Sequence, residues 1–175
     1  MTREDIFNLI KNQNPTIAEI GVEHGGFVDL YYKDNYKIHL IDMWQTEGND
    51  FYFSQKPNQV ENGYNEVVRK YKDKKNVNIV KSKSIDAANL YEDNFFDLVY
   101  IDADHSYEAV LQDITHWLPK VKKGGIISGH DFDVPTSNQY YQNFGVGKAV
   151  REFFKDNFYL TNEEAYKSWY SYKNE

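Results

Sequence analysis

The sequence contains no cysteine. That excludes disulfides, thiolate metal sites and a cysteine nucleophile. It has no apolar run near the ~20 residues that span a bilayer, and its opening stretch, MTREDIFNLIKNQNP, lacks the unbroken apolar core of a signal peptide. A cytoplasmic protein without a membrane partner is therefore expected. Basic charge is short as well. Twenty Lys and Arg against 27 Asp and Glu leave a net charge of −7, so a nucleic-acid backbone is not the expected partner. The densest basic run, Lys70, Lys72, Lys74 and Lys75, reads as the solvated end of a helix. No internal repeat or low-complexity linker divides the chain, and residues 1–175 are expected to form one domain.

What is present is a packed-core composition, 41% hydrophobic and 17% aromatic, arranged in alternating strand and helix patterns. Thr2 is placed to cap a short helix carrying Ile6, Leu9 and Ile10, which Asn14-Pro15 ends. Strand patterns cover 16–22, 36–44, 76–81, 95–102, 126–131, 157–160 and 168–173. Between them lie a short helix through Leu30, an amphipathic stripe Tyr64, Val67, Val68, Tyr71, and a helix over 84–91. Two further stripes follow, one over Val110, Leu111, Ile114, Trp117, Leu118 and one over Val146, Ala149, Val150, Phe153, Phe154. This alternation predicts an α/β fold, Rossmann-like and doubly wound, with a mostly parallel seven-stranded sheet. The last two strands have no helix between them, so a C-terminal antiparallel hairpin is expected. Residues 45–57 and 132–145 read as irregular insertions.

The chemistry-bearing residues gather where strands end. The first strand runs into EIGVEHGG, which has the form E-x-G-x-x-x-G. Glu23 stands where a dinucleotide fingerprint would need glycine, which disfavours an NAD-dependent oxidoreductase. Gly21 and Gly25 allow a sharp turn and a close backbone approach to a ligand. The second strand ends at Asp42, 21 residues after Gly21, where a carboxylate accepts hydrogen bonds from ribose hydroxyls. The fourth strand ends in IDADHSY, placing Asp102, Asp104 and His105 at the carboxyl edge of the predicted sheet, where open α/β proteins bind ligands. Asp104 reads as a helix N-cap or first-turn charge. The motif N/D-P-P-Y of amino-methylating DNA enzymes is missing. Tyr71-x-x-x-Lys75 matches a dehydrogenase pair only by chance, since the dinucleotide turn is absent. His24, His39 and His116 have no partner pattern and read as structural.

These motifs together resemble the class I S-adenosylmethionine-dependent methyltransferases over nearly the whole chain. IDADHSYEAVLQDITHWLPKVKKGGIISGHDF and FGVGKAVREFF resemble a small-molecule branch that includes macrocin-type sugar O-methyltransferases and, more remotely, the catechol and caffeoyl-CoA enzymes. The resemblance implies S-adenosylmethionine as cofactor. It sets Glu19 and the Gly21–Gly25 turn toward the methionine part, Asp42 toward the ribose, and Met43, Trp44, Ser84 and Ile85 toward the adenine. It makes Asp102 a ligand of Mg²⁺ or Mn²⁺ bordering the cofactor, and His105, three residues on, the base that deprotonates the acceptor hydroxyl. The pair His130-Asp131 stands where that branch has two further metal ligands, commonly acid-acid or acid-amide. Histidine at 130 suits a transition metal better than Mg²⁺. The expected partner is a small hydroxylated, sugar-like acceptor, framed by residues 45–63 and 132–145, and self-association into a homo-oligomer is compatible with the sequence. The alternative is a non-catalytic domain of the same fold that binds cofactor or a protein partner.

Overall fold

The computed structural model describes residues 1–45, 57–134, 143–163 and 165–174. Seven strands form one sheet: β1 (Thr16–Ile20), β2 (Lys37–Asp42), β3 (Val77–Lys81), β4 (Phe96–Ile101), β5 (Val121–Gly129), β6 (Tyr159–Leu160) and β7 (Trp169–Tyr172). Their order is β3-β2-β1-β4-β5-β7-β6, with β1 to β5 parallel and β7 antiparallel to both β5 and β6. The predicted sheet and closing antiparallel pair are both present. The order reverses between β1 and β4, which places a crevice at their carboxyl ends.

The helices are α1 (Val28–Tyr31), α2 (Pro57–Tyr71), α3 (Ser84–Ala88), α4 (Tyr107–Trp117) and α5 (Val146–Phe154). Central strands are apolar on both faces because both faces are covered. On β1, Ala18 and Ile20 join Val99, Ile127, Ile114 and Trp117 in one core beneath α3, α4 and α5. Ile17 points the other way, into a second core with Phe7, Tyr31, Leu40, Val67 and Tyr100. Trp117 is fully buried, and truncating such a ring costs about 3–5 kcal/mol.

Three local expectations need correction. Residues Glu4–Leu9 form a 3-10 helix, not an α-helix capped by Thr2; the Asp5 carboxylate instead accepts from the Thr2 N–H and hydroxyl, at 2.9 and 3.2 Å. Strand β5 begins at Val121, before Gly124-Gly125 rather than after it. Phe96 pairs with Val121 but Leu98 with Ile126, so the glycines sit in a bulge. A Cβ on Gly125 would fall 2.8 Å from the Asp97 carbonyl oxygen, which is why the bulge needs glycine there. Finally, Ser106 caps α4, accepting from Ala109 N–H, while Asp104 accepts from Ser106 N–H at 2.7 Å one turn earlier.

Candidate functional site

Backbone strain gathers at the carboxyl edge. Gly21 has φ 84° and Gly25 φ 73°, and three non-glycine residues there, Glu23, Trp44 and Asp131, also have positive φ. Such conformations persist only where surroundings enforce them, and they are common at ligand sites. A Cβ at Gly21 would lie 2.1 Å from the Asp102 carbonyl oxygen. The chain turns there because only glycine lets the ends of β1 and β4 meet, with Asp102 N–H bonded to Ile20 O at 2.7 Å.

Asp42 ends β2 and faces this turn. Its Oδ2 accepts from the backbone N–H of Val22 at 2.8 Å and Glu23 at 2.9 Å, and its Oδ1 from Trp44 N–H at 2.8 Å. The carboxylate therefore shapes the glycine turn; both lone pairs of Oδ2 are taken, and Oδ1 retains one for a further donor. Met43 is half-buried beside it. Trp44 is 4% exposed, packs against Tyr64 with ring centroids 5.1 Å apart, and donates its indole N–H to Glu23 O at 2.8 Å. Its ring thus belongs to the core that supports the turn.

Glu19 is 1% exposed and accepts the Tyr31 hydroxyl at 2.5 Å. Burial pushes its carboxyl up to about 8, with the nearby Asp102 and Asp42 charges adding to the rise and the Tyr31 hydrogen bond and Arg3 opposing it. Ser84, at the start of α3, donates to the buried Asp113 and accepts the Trp117 indole N–H at 2.8 Å. Ile85 follows, half-buried, on the same turn. Ser84 thus ties α3 to α4 across the edge of the crevice.

At the ends of β4 and β5, Asp102, His105 and Asp131 converge, their ligand atoms within 4.8 Å of one another. His105 Nε2 lies 3.1 Å from Asp102 Oδ1 and 3.0 Å from Asp131 Oδ2. His130 is adjacent, its Nδ1 3.2 Å from Asp131 Oδ1 and 4.0 Å from Asp102 Oδ1. Burial works against a charged His105, yet its hydrogen bonds to Asp102 and Asp131 and their charges lift its pKa to about 9. Burial likewise works against a charged Asp131, but the hydrogen bonds and charges of His105 and His130 hold its carboxyl well below the usual range. The donor set, two carboxylates and an imidazole nitrogen with a second imidazole beside it, fits a divalent cation. His105 is the member of that cluster expected only as a base.

Several neighbours of the site have no local sequence signal. Phe144 stacks on the His105 ring, 4.6 Å between centroids and 8° from parallel, and Gly145 N–H bonds to His105 O at 2.8 Å. A Cβ on Gly145 would meet the Tyr107 backbone at 2.6 Å, so glycine permits this docking. A cleft of about 210 Å³ opens beside Asp131, lined by Phe132, Phe144, Gly145, Lys148 and Arg151 among others. Arg3 arrives from the N-terminal 3-10 segment, with its Nη1 4.0 Å from Asp102 Oδ2 and its guanidinium 4.3 Å from the centre of the Phe27 ring. Of the two insertions expected to frame the acceptor, residues 46–56 and 135–142 lie outside the described residues. Pro135 falls among them.

A parallel sheet of this order, with a glycine turn and acidic residues at its carboxyl edge, defines the class I S-adenosylmethionine-dependent methyltransferase fold. The chain belongs to the family described as methyltransferase domain, which it matches over residues 18–132. No curated protein sequence matches it. Among solved structures it is similar to spermidine synthase from Thermotoga maritima, with 15% identity, a TM-score of 0.62, and coverage of 99% of this chain and 57% of that one. An rRNA methylase from Streptococcus thermophilus shares 11% identity at a TM-score of 0.65, covering 98% of this chain and 94% of that one. An O-methyltransferase family protein from Burkholderia thailandensis shares 12% identity at 0.66, covering 97% and 52%. The chain thus spans little more than half the length of the synthase, and identities this low establish the fold alone. Among the described residues no helix is long and apolar enough to cross a membrane.

Proposed function

We propose that this protein transfers the methyl group of S-adenosylmethionine to a hydroxyl of a small, sugar-like acceptor, assisted by a divalent cation held by Asp102, His130 and Asp131, with His105 as the base. The observation that carries this reading is the convergence of Asp102, His105 and Asp131 next to the Gly21 turn. The sulfonium is already an activated methyl donor, so the protein's work is to align acceptor oxygen, methyl carbon and sulfur. The Gly21 turn, Glu19 and Asp42 would seat the cofactor, and the cleft between Phe132 and Phe144 would seat the acceptor against Asp131. A bound divalent cation would supply a lowered pKa for the acceptor hydroxyl and a fixed orientation.

The proton then needs a destination. His105 serves only in its neutral form, and its contacts with two carboxylates hold a proton on it up to about pH 9. Turnover should therefore rise with pH up to about 9 and level off above it. Charge placed on the two carboxylates by a cation would move that rise to lower pH by weakening their hold on the imidazolium.

The test combines calorimetry with turnover. Titrations with S-adenosylmethionine and S-adenosylhomocysteine, with and without Mg²⁺ or Mn²⁺, are followed by methyl-transfer assays over hydroxylated acceptors. His105→Ala should lose ~10²–10⁴-fold in turnover while keeping cofactor affinity, and Asp131→Asn should lose the metal response. Absence of cofactor binding would sink the methyltransferase reading. Full turnover in the presence of a chelator would remove the cation and leave the rest.

A further inference from the structure

This inference rests on S-adenosylmethionine being the cofactor and concerns how its amino-acid end is held. That end carries an ammonium and a carboxylate. The crevice beside the Gly21 turn offers acids in number, with Glu19, Asp42 and Asp102 ending β1, β2 and β4. Acids suit the ammonium and the sulfonium. A carboxylate entering the same crevice needs a cation, and Arg3 is placed to meet it.

We propose that Arg3 binds the carboxylate of the cofactor's amino-acid end and so selects a ligand that still has one. Its guanidinium sits over the Phe27 ring and 4.0 Å from Asp102 Oδ2, half-buried at the mouth of the crevice. Among the described residues it makes no hydrogen bond to another side chain, so its planar fork of donors is matched to a carboxylate in shape and in charge. The segment that carries it is held in place. Arg3 N–H donates to Glu163 Oε1 at 2.6 Å, and Asn162 N–H to Met1 O at 2.9 Å, which ties residues 1–3 to the chain after β6. Behind it Ile6 and Phe7 are buried, with Phe7 stacked on Tyr31 at 4.0 Å. Tyr31 in turn bonds the buried Glu19, so the residues that anchor this segment also hold that acid. A ring beneath the guanidinium keeps it flat and limits the rotamer freedom lost on binding.

The proposal is tested by calorimetry on the parent protein, Arg3→Ala and Arg3→Met. Each is titrated with S-adenosylhomocysteine and with S-adenosyl-3-thiopropylamine, the same molecule without its carboxylate. Circular dichroism and thermal melting establish that each variant is folded. Arg3→Met keeps an unbranched apolar chain on Phe27 should the alanine variant not fold. Both variants should bind S-adenosylhomocysteine about 10- to 100-fold more weakly, the worth of hydrogen bonds to a charged group, and the thiopropylamine within about twofold of the parent. Equal losses for the two ligands would mean that Arg3 only braces the segment, and unchanged affinity for S-adenosylhomocysteine would mean that it does not touch the carboxylate. Either result overturns the proposal. A parent protein that binds neither ligand overturns the cofactor reading itself, a result distinct from the other two.

Discussion

Replacing Asp42 separates the turn-shaping role that its hydrogen bonds show from the ribose-binding role proposed for it. The carboxylate accepts three backbone N–H groups, from Val22, Glu23 and Trp44. In Asp42→Asn one end of the side chain becomes a donor and faces either the first two of these or the third. In Asp42→Ala all three N–H groups lose their acceptor. A hydrogen bond to a charged group is worth about 1.5–3 kcal/mol, and the site is half-buried, so water recovers part of the loss. The alanine variant should therefore be destabilised by about 2–4 kcal/mol and the asparagine variant by about half of that. Urea denaturation reads this as a lowered midpoint at an unchanged slope. The ribose role has its own measurement. S-adenosylhomocysteine affinity should fall by a further ~2–3 kcal/mol in the alanine variant, measured where the protein is fully folded. A variant that is less stable yet binds with parental affinity would confine Asp42 to shaping the turn. One as stable as the parent would refute the hydrogen-bond account altogether.

Gly21→Ala places a methyl 2.1 Å from the Asp102 carbonyl oxygen at φ 84°. Left-handed strain and overpacking together should cost about 2–5 kcal/mol, while Gly26→Ala, with nothing within 4 Å of the added carbon, should fall within about 0.5 kcal/mol of the parent; similar melting temperatures for the two would contradict this packing. Glu19→Gln tests the pKa of about 8. A carboxyl whose folded pKa lies above its unfolded value near 4.5 binds its proton more tightly when folded, so stability falls as pH rises between 4.5 and 8 and levels off above. The glutamine variant lacks that decline, so its stability relative to the parent should climb across the window; a difference independent of pH from 4 to 9 would show that Glu19 is not held neutral.

The fold was legible because both of its signals are local. Continuous apolar runs such as FFDLVY mark strands covered on both faces, and the stripe from Val110 to Leu118 marks a helix on one of them. The acids at strand ends were legible for the same reason, since a parallel sheet brings the ends of β1, β2, β4 and β5 to one edge whatever the loops do. The partners of those acids were not. Arg3 reaches Asp102 across almost a hundred positions, and Phe144 covers His105 from a loop beyond β5. No periodicity encodes such contacts. Trp44 is a different case: it follows Asp42 where the resemblance sets the adenine, and its contacts with Tyr64 and the Glu23 carbonyl come from residues that no local pattern links to it. The start of β5 at Val121 was hidden by Gly124-Gly125, which reads as a turn but serves as a bulge.

Four strands deliver a carboxylate to one edge, and each is balanced by a different means. Glu19 is kept neutral by burial and held by Tyr31. Asp42 is solvated by backbone N–H groups. Asp102 and Asp131 share the His105 imidazolium, with His130 against Asp131. Glu19 is neutralised by its own proton and Asp42 by fixed backbone N–H groups, whereas Asp102 and Asp131 share a proton carried on a neighbouring side chain. Repulsion between Asp102 and Asp131 would be severe without it, and removing one partner from a buried ionic cluster typically costs about 3–5 kcal/mol. A divalent cation could replace that proton and keep the carboxylates together. The same pair of acids would then hold the edge in two states of charge, one with His105 protonated and one with it neutral. A base is needed only in the second state. On the proposed reading the cluster would couple the presence of a cation to the availability of a proton acceptor, through residues at the ends of β4 and β5 and in the loop between β4 and α4.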